Sequence, residues 1–305
     1  MMKFSIVIPT YNEEHDIAST LDAVSALDYP DKEIIVVDDS TDHTPDIVRR
    51  YANRGVRLIR PESRGGRCEA RNRGILEATG DVVMVLNADV RPDPDFINRI
   101  VPHYESGYDY VLVNSKVSNT GALFPRYVEC VALENYDATS AEWSEAFTCR
   151  REAAIKAGLF PTNFPVPICA GEDGFFGDCL RNLHARKKID HSIVVNHTAP
   201  ESFGEYWHIR KGRGKGSPQV RVYLEGWPIY KVTAWAVLRI VKTTLMVGTV
   251  LPMVSVVVKI AHHSPRKFRD FFPFLLAWLA EQAAFHVGEW ESIFEIVRAR
   301  RVQKS

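Results

Sequence analysis

Four short apolar runs set the tightest limit on how this chain folds: FSIVI at 4–8, EIIVV at 33–37, VRLI at 56–59 and VVMVL at 82–86. Each is rich in β-branched residues and nearly free of polar alternation, the pattern of a strand covered on both faces. Helical patterns fill the intervals. Ile17, Leu21 and Val24 share one face after Glu13-Glu14, Thr44-Pro45 reads as an N-cap followed by proline at the first helical position, and a third helix is expected over 66–78. Strand–helix alternation across the first ninety residues predicts an α/β fold with a doubly wound, mostly parallel, Rossmann-like sheet.

From about 95 to 200 the pattern loosens. It predicts a strand at 109–114, helices near 125–141 and 151–157, a helix from Glu172 carrying Phe175, Phe176, Cys179, Leu180 and Leu183, and a strand at 189–195. A basic, glycine-rich stretch, HIRKGRGKGSP (208–218), then precedes two long apolar segments at 232–258 and 271–287. A membrane span needs ~20 mostly apolar residues. The first segment reaches that only by including Arg239 and Lys242, and the second contains Glu281, Gln282 and His286. The joining stretch, with Arg266, Lys267 and Arg269, is basic, and so is the tail with Arg298, Arg300, Arg301 and Lys304. A spanning hairpin would export one of these basic stretches, against the positive-inside tendency. Shallow or interfacial helices, their cations facing anionic headgroups, are therefore expected, with a pair of soluble core helices as the alternative.

Formal net charge is zero and charged residues make up 25% of the chain, which excludes a disordered chain and a generally basic nucleic-acid binder. Cys68, Cys130, Cys149, Cys169 and Cys179 are scattered and form no zinc-type spacing, so reduced thiols in a cytosolic setting are expected. The opening MMKFSIVIPTYNEE has too short an apolar part for a signal peptide and runs straight into a strand, so this half is expected in the cytosol.

Ligands of doubly wound sheets bind outside the carboxyl ends of the strands. Those ends here carry Pro9-Thr10-Tyr11-Asn12-Glu13, Asp38-Asp39-Ser40, Arg64-Gly65-Gly66-Arg67 and Asn87-Ala88-Asp89. Acids, hydroxyls and arginines together point to a charged, hydrogen-bonding ligand. No GxGxxG follows the first strand, which argues against a dinucleotide dehydrogenase.

SIVIPTYNEE (5–14), EIIVVDDSTDHT (33–44), ARNRGILEATGDVVMVLNAD (70–89) and CAGEDGFFGDCL (169–180) resemble, in order and spacing, the motifs of glycosyltransferase family 2, whose fold is the GT-A nucleotide-sugar fold. The resemblance covers about residues 4–200. It implies a nucleoside-diphosphate sugar donor, UDP or GDP, with residues 1–218 as catalytic domain (1–90 the nucleotide half, 91–218 the acceptor half) and 219–305 as a membrane-associated helical region. Asp39 and Asp38 would contact base and ribose, since a carboxylate accepts from N–H and hydroxyl groups. Pro9, Thr10 and Glu13 would line the nucleoside pocket, and Tyr11 would stack on the base or fill core. Arg71, and less directly Arg67, would approach the diphosphate, and Asn87 and Ala88 would belong to the nucleotide-sugar site, with the Asn87 oxygen able to bond the ribose or orient a metal-bound water.

Asp89 would hold Mg²⁺ or Mn²⁺, ions that take oxygen ligands from one or two carboxylates and from phosphates. Asn87 departs from the family, which commonly has Asp there. His197 is either a late metal ligand or a structural histidine. Asp173 matches the family's base and Glu172 an acceptor-positioning residue, although acids also belong at a helix N-terminus for electrostatic reasons. Arg210 or Arg213 would clamp the diphosphate if the glycine-rich stretch closes on binding, or would belong to a membrane-facing linker. The implied reaction is inverting, metal-dependent transfer to a hydroxyl of a lipid-linked glycan or cell-envelope polysaccharide at the cytoplasmic face of the membrane. A polyisoprenyl-phosphate acceptor and a non-catalytic sugar-nucleotide-binding subunit are the alternatives.

Overall fold

The computed structural model describes residues 1–135, 142–143 and 145–302. Its strands are β1 (Phe4–Thr10), β2 (Lys32–Asp38), β3 (Val56–Ile59), β4 (Val82–Leu86), β5 (Val90–Arg91), β6 (Tyr110–Val117), β7 (Ala146–Arg150) and β8 (Lys187–His197). They form an eight-stranded sheet in the order β3-β2-β1-β4-β7-β6-β8-β5. β1 pairs in parallel with β2 and β4, and β2 with β3, whereas β7 runs antiparallel to β4 and β6, and β5 antiparallel to β8. The four apolar runs thus supply the parallel part, and the antiparallel part holds the strands with weaker patterns.

Burial on both faces explains those runs. Val82, Met84 and Leu86 of β4 join one apolar cluster while Val83 and Val85 join another, as the period of two in a strand requires. Helices α1 (Ile17–Ser25), α2 (Thr44–Arg49), α3 (Gly66–Glu77), α4 (Phe96–Glu105), α5 (Leu123–Glu134), α6 (Arg151–Lys156) and α7 (Glu172–Asn182) intervene. α1 buries Ile17, Leu21 and Val24 on the expected face. α2 starts at Thr44 itself, with His43 as N-cap, one residue from the expected register. α3 lies so close to β1 that a Cβ on Gly74 would stand 2.1 Å from Val7 Cγ1. The expected helix near 125–141 ends at Glu134, and residues 136–141 lie outside the described residues.

The chain divides into two compact units, and the division differs from the expected boundary at 218. The first comprises Met1–Lys116, a middle segment ending at Thr162, and Asp173–His197; the second comprises a segment from Val117, Asn163–Glu172, and the chain from Thr198 onward. The second unit holds α5 with α8 (Phe203–Gln219), α9 (Ile229–Thr249), α10 (Leu251–His262) and α11 (Phe271–Val302).

The reason for the shifted boundary is α8. The glycine-rich stretch is no loop: it forms most of a 17-residue helix begun by a reciprocal capping box between Ser202 and Glu205. Gly214 of this helix and Gly288 of α11 make room for backbone. A Cβ on Gly214 would meet the Phe285 carbonyl oxygen at 2.1 Å, and one on Gly288 of α11 would meet the Lys211 carbonyl oxygen at 2.0 Å. Ion pairs from Lys211 to Glu291 and from Lys215 to Glu295 reinforce the contact.

The apolar segment 232–258 is also not one helix. Val250, with φ of 61°, separates α9 from α10. Among the described residues, α9 is the one helix long and apolar enough to cross a membrane. α11 buries Phe274, Ala277, Trp278, Ala284, Ile293 and Ile296. Its Glu281 accepts the Tyr127 hydroxyl at 2.8 Å and lies 3.3 Å from Arg210 Nη1, so that acid is satisfied within the unit.

Candidate active site

The ends of β1 and β2 are tied together before any ligand arrives. Thr10 Oγ1 donates to Asp38 Oδ1 at 2.8 Å, the Ser40 N–H donates to the same oxygen at 3.3 Å, and Arg60 Nε lies 3.5 Å from Oδ2. Asp38 is 1% exposed and organises the loops, which leaves it buried away from the contact with base or ribose expected of it. Asp39 is half-buried and accepts the Gly66 N–H at 3.3 Å, which links it to the start of α3. Asn12 adopts φ of 56°, a left-handed conformation that Asn tolerates. Its Oδ1 accepts the Thr41 N–H, and the next N–H, of Glu13, donates to Thr44 Oγ1. Pro9 stands opposite Val37 in the β1–β2 register. Tyr11 is 40% exposed with the Arg64 guanidinium 3.6 Å above its ring centroid. It is a stacking surface and not core filling.

The end of β4 is built around Asn87. Its Oδ1 accepts from Arg71 Nη2 at 3.4 Å and its Nδ2 donates to Glu145 Oε2 at 2.7 Å. An amide can do both at once, and a carboxylate cannot. That accounts for Asn where the family commonly has Asp. Arg71 is 2% exposed, with its guanidinium 5.0 Å from the ring centroids of Trp143 and Phe160. Its expected approach to a diphosphate is replaced by a positioning role on Asn87. Ala88 is buried and its carbonyl accepts the Thr20 hydroxyl at 2.5 Å, fixing the turn that presents Asp89.

Asp89 stands in a field of negative charge. Burial and the Glu145 carboxylate push its pKa up to about 6 against the pull of His197 and a backbone hydrogen bond. Glu13 is pushed up to about 8 by burial, then by Asp89 and Asp16, with Arg67 partly offsetting and Asp42 adding to the rise. His197 reaches this place because it pairs with Val90 in the β5–β8 register, one residue beyond Asp89. Among the described residues no three His, Cys, Asp or Glu side chains converge as a preformed metal cage. The donor set still fits Mg²⁺ or Mn²⁺, which take one or two carboxylates and complete their shells with phosphate oxygens and water. The rim holds an acid excess that a divalent cation would neutralise.

Glu145 and Trp143 are the site residues that the sequence reading missed. Glu145 precedes the short strand β7, whose Ala146 pairs with Leu86. Antiparallel pairing puts the start of β7 at the same rim as the end of β4, so Glu145 lies beside Asn87. The only signal in the sequence was an acid before a five-residue strand.

Glu172 and Asp173 differ more than their adjacency suggests. Glu172 is 0% exposed, whereas Asp173 is half-buried, its Oδ1 accepting the Gly174 N–H at 2.7 Å. The chain passes from the second unit to the first between them. Arg210, 4% exposed, is held by Glu281 and lies 5.1 Å from the Tyr206 ring centroid, so it is a buried structural cation of the second unit and no mobile clamp. Arg213, one turn on, is exposed and lines a cavity of ≈ 250 Å³ with Gly171, Ser217, Arg221 and Glu225.

Comparison with known proteins agrees with this geometry. The sequence model of glycosyl transferase family 2 matches residues 5–165. Glycosyltransferase AglE of Haloferax volcanii is 28% identical over 230 residues, covering 71% of this chain and 73% of its own length. Poly-β-1,6-N-acetyl-D-glucosamine synthase of Staphylococcus epidermidis is 37% identical over 241 residues, 74% of this chain but 57% of the synthase, so the chain spans little more than half of that relative. The fold is shared with the mannosyltransferase PcManGT from Pyrobaculum calidifontis in complex with GDP-Man and Mn²⁺, at a TM-score of 0.64 and 21% identity over 95% of this chain and 87% of that one. A GT-A sheet carrying its acids at the strand ends and a family match over more than half of the sequence lead to one conclusion: the chain belongs to glycosyl transferase family 2.

Proposed function

We propose that the protein is an inverting, metal-dependent glycosyltransferase that moves a sugar from a UDP- or GDP-sugar to a hydroxyl of a lipid-linked glycan or cell-envelope polysaccharide, at the cytoplasmic face of the membrane. The observation that carries this reading is the acid excess at the end of β4, where Asp89 stands with Glu145 and Glu13 and has His197 as a nearby base. Asp89 and His197 would hold Mg²⁺ or Mn²⁺ there, and the ion would supply positive charge for the departing nucleoside diphosphate.

The chain's own residues do the rest. Asp39 accepts hydrogen bonds from the nucleoside, Tyr11 offers a ring to the base, and Thr10 and Asp38 hold that loop in shape. Asn87 keeps Arg71 and Glu145 in register at the end of β4. Asp173, the more accessible acid of its pair, takes the proton from the acceptor hydroxyl as that oxygen attacks the anomeric carbon from the face opposite the leaving diphosphate. Its buried neighbour Glu172 is the residue that positions the acceptor.

The membrane reading is supported by exposed apolar residues on the second unit, among them Trp235, Leu238, Val241 and Leu245 of α9. A panel of nucleotide sugars with membrane extract, followed for nucleoside diphosphate release with and without Mn²⁺, tests the proposal. Metal-stimulated release dependent on acceptor extract is expected, and neither binding nor turnover of any donor would sink it. Full activity in Asp173→Asn would remove Asp173 as base and favour an acceptor that is already ionised.

A further inference from the structure

The turn that joins α10 to α11 carries a basic pocket outside the site described above. Its cavity, ≈ 460 Å³, is lined by Leu123, Arg126, Arg266, Arg269, Asp270 and Pro273. The floor is a buried polar lock. Arg126 Nε and Nη2 fork onto Asp270 at 2.6 and 2.9 Å, and Ser264 Oγ donates to Asp270 Oδ2 at 2.5 Å. Arg126 Nη1 donates to the carbonyls of Thr120, Gly121 and Ala122. Arg126, Ser264 and Asp270 are each at most 4% exposed. Burying such a pair costs about as much as the pairing returns, so its effect is to fix one conformation of the turn.

That fixed turn is strained and highly charged. Lys267 is held at φ of 40°, a conformation that L-residues rarely adopt. Arg266, Lys267 and Arg269 are exposed, and none of them has an acidic ion-pair partner among the described residues. Asp270, the one acid lining the pocket, is already neutralised by Arg126. Beside the cations runs an apolar stripe. Phe268, Phe272 and Leu276 follow at four-residue steps from the turn into α11 and are 81%, 71% and 67% exposed.

Unpaired guanidiniums beside exposed aromatic side chains complement an amphiphile with an anionic phosphate. Guanidinium forks match phosphate oxygens, and a hydrocarbon phase removes the phenylalanines from water. A soluble anion would leave the stripe exposed, and a neutral surface would leave the cations unneutralised. We propose that this pocket binds the phosphate headgroup of an anionic membrane phospholipid, with Arg266 and Arg269 on the phosphate and Phe268, Phe272 and Leu276 among the lipid chains. The proposal deepens the membrane part of the functional reading and rests on it.

The test is sedimentation of the purified full-length protein with vesicles of phosphatidylcholine alone or mixed with phosphatidylglycerol. Wild type is expected to prefer the anionic vesicles, and Arg266→Ala/Arg269→Ala to lose roughly thirtyfold of that preference, at about 1 kcal/mol per cation. Phe268→Ser/Phe272→Ser should weaken binding to both vesicle types. Unchanged thermal melting of each variant establishes that it is folded. Equal binding of wild type to both vesicles, no binding to either, or an unchanged preference in the arginine variant overturns the proposal. Displacement from anionic vesicles by millimolar inorganic phosphate at constant ionic strength also overturns it, in favour of a free-phosphate site. Donor turnover in detergent reports separately on the enzymatic reading, because the arginine variant is expected to leave it unchanged.

Discussion

Two sets of acids, one in each unit, are treated in opposite ways. In the second unit Asp270 is forked by Arg126, and Glu281 is held by Tyr127 and Arg210. At the strand ends of the first unit, Asp89, Glu145 and Glu13 crowd one another, and their mutual repulsion together with burial raises two of their pKa values. An acid paired with a cation holds structure. An acid facing other acids is held for something that arrives, which is why shifted carboxylates mark functional sites.

Four experiments press on this contrast. The largest effect is expected from Asp89→Asn, which should lower transfer by about 10²-fold or more and weaken Mn²⁺ binding measured by electron paramagnetic resonance. Its melting temperature should hold or rise, because one repelling charge is gone; a fall of several degrees would place Asp89 with the structural acids. Arg126→Ala should do the reverse. Stranding Asp270 should cost about 3–5 kcal/mol in denaturant unfolding, while turnover per folded molecule stays near wild type. A large turnover loss in that variant would erase the distinction between the two regions.

Asn87→Asp is expected to cost about 1–3 kcal/mol of stability in chelator, because the hydrogen bond to Glu145 becomes a contact between two carboxylates. Adding Glu145→Gln should recover most of it, and failure of that rescue would show that Asn87 acts elsewhere. The smallest effect comes from a satisfied acid within the first unit. Burial alone would raise the pKa of Asp190, but hydrogen bonds from Ser192 and His103 outweigh it and hold the carboxyl down at about 2. Its contribution, about 1 kcal/mol once solvent screening is allowed for, is therefore complete above about pH 4 and fades as pH falls toward 2. Asp190→Asn should flatten the acid limb of a stability–pH curve over that window and leave Mn²⁺ affinity unchanged.

The strands and the loops at their ends were legible because both signals are local. A continuous β-branched run has few ways to be buried, and the polar residues that follow it stand at the rim. α8 was misread for the opposite reason. Glycines at 214 and 216 look like freedom in a sequence, and their meaning depends on the backbone of Phe285 and of Ala170, both distant along the chain. Glu145 was illegible because β7 is short and its alignment with β4 is set by the sheet. The apolar stretch through Val250 read as one segment because hydropathy carries no record of a left-handed backbone turn. Asn87 stood out in the sequence as a departure from pattern, but its two-sided hydrogen bonding needed both partners in view.

One property of Asn87 reaches beyond the residues it touches. A side-chain amide neither gains nor loses a proton across the range in which Asp89 and Glu13 do. The hinge between the guanidinium of Arg71 and the carboxylate of Glu145 therefore keeps its donor and its acceptor at every working pH. Around it the charge of the rim can rise and fall with protons, substrate and product, while the pivot itself is silent to titration.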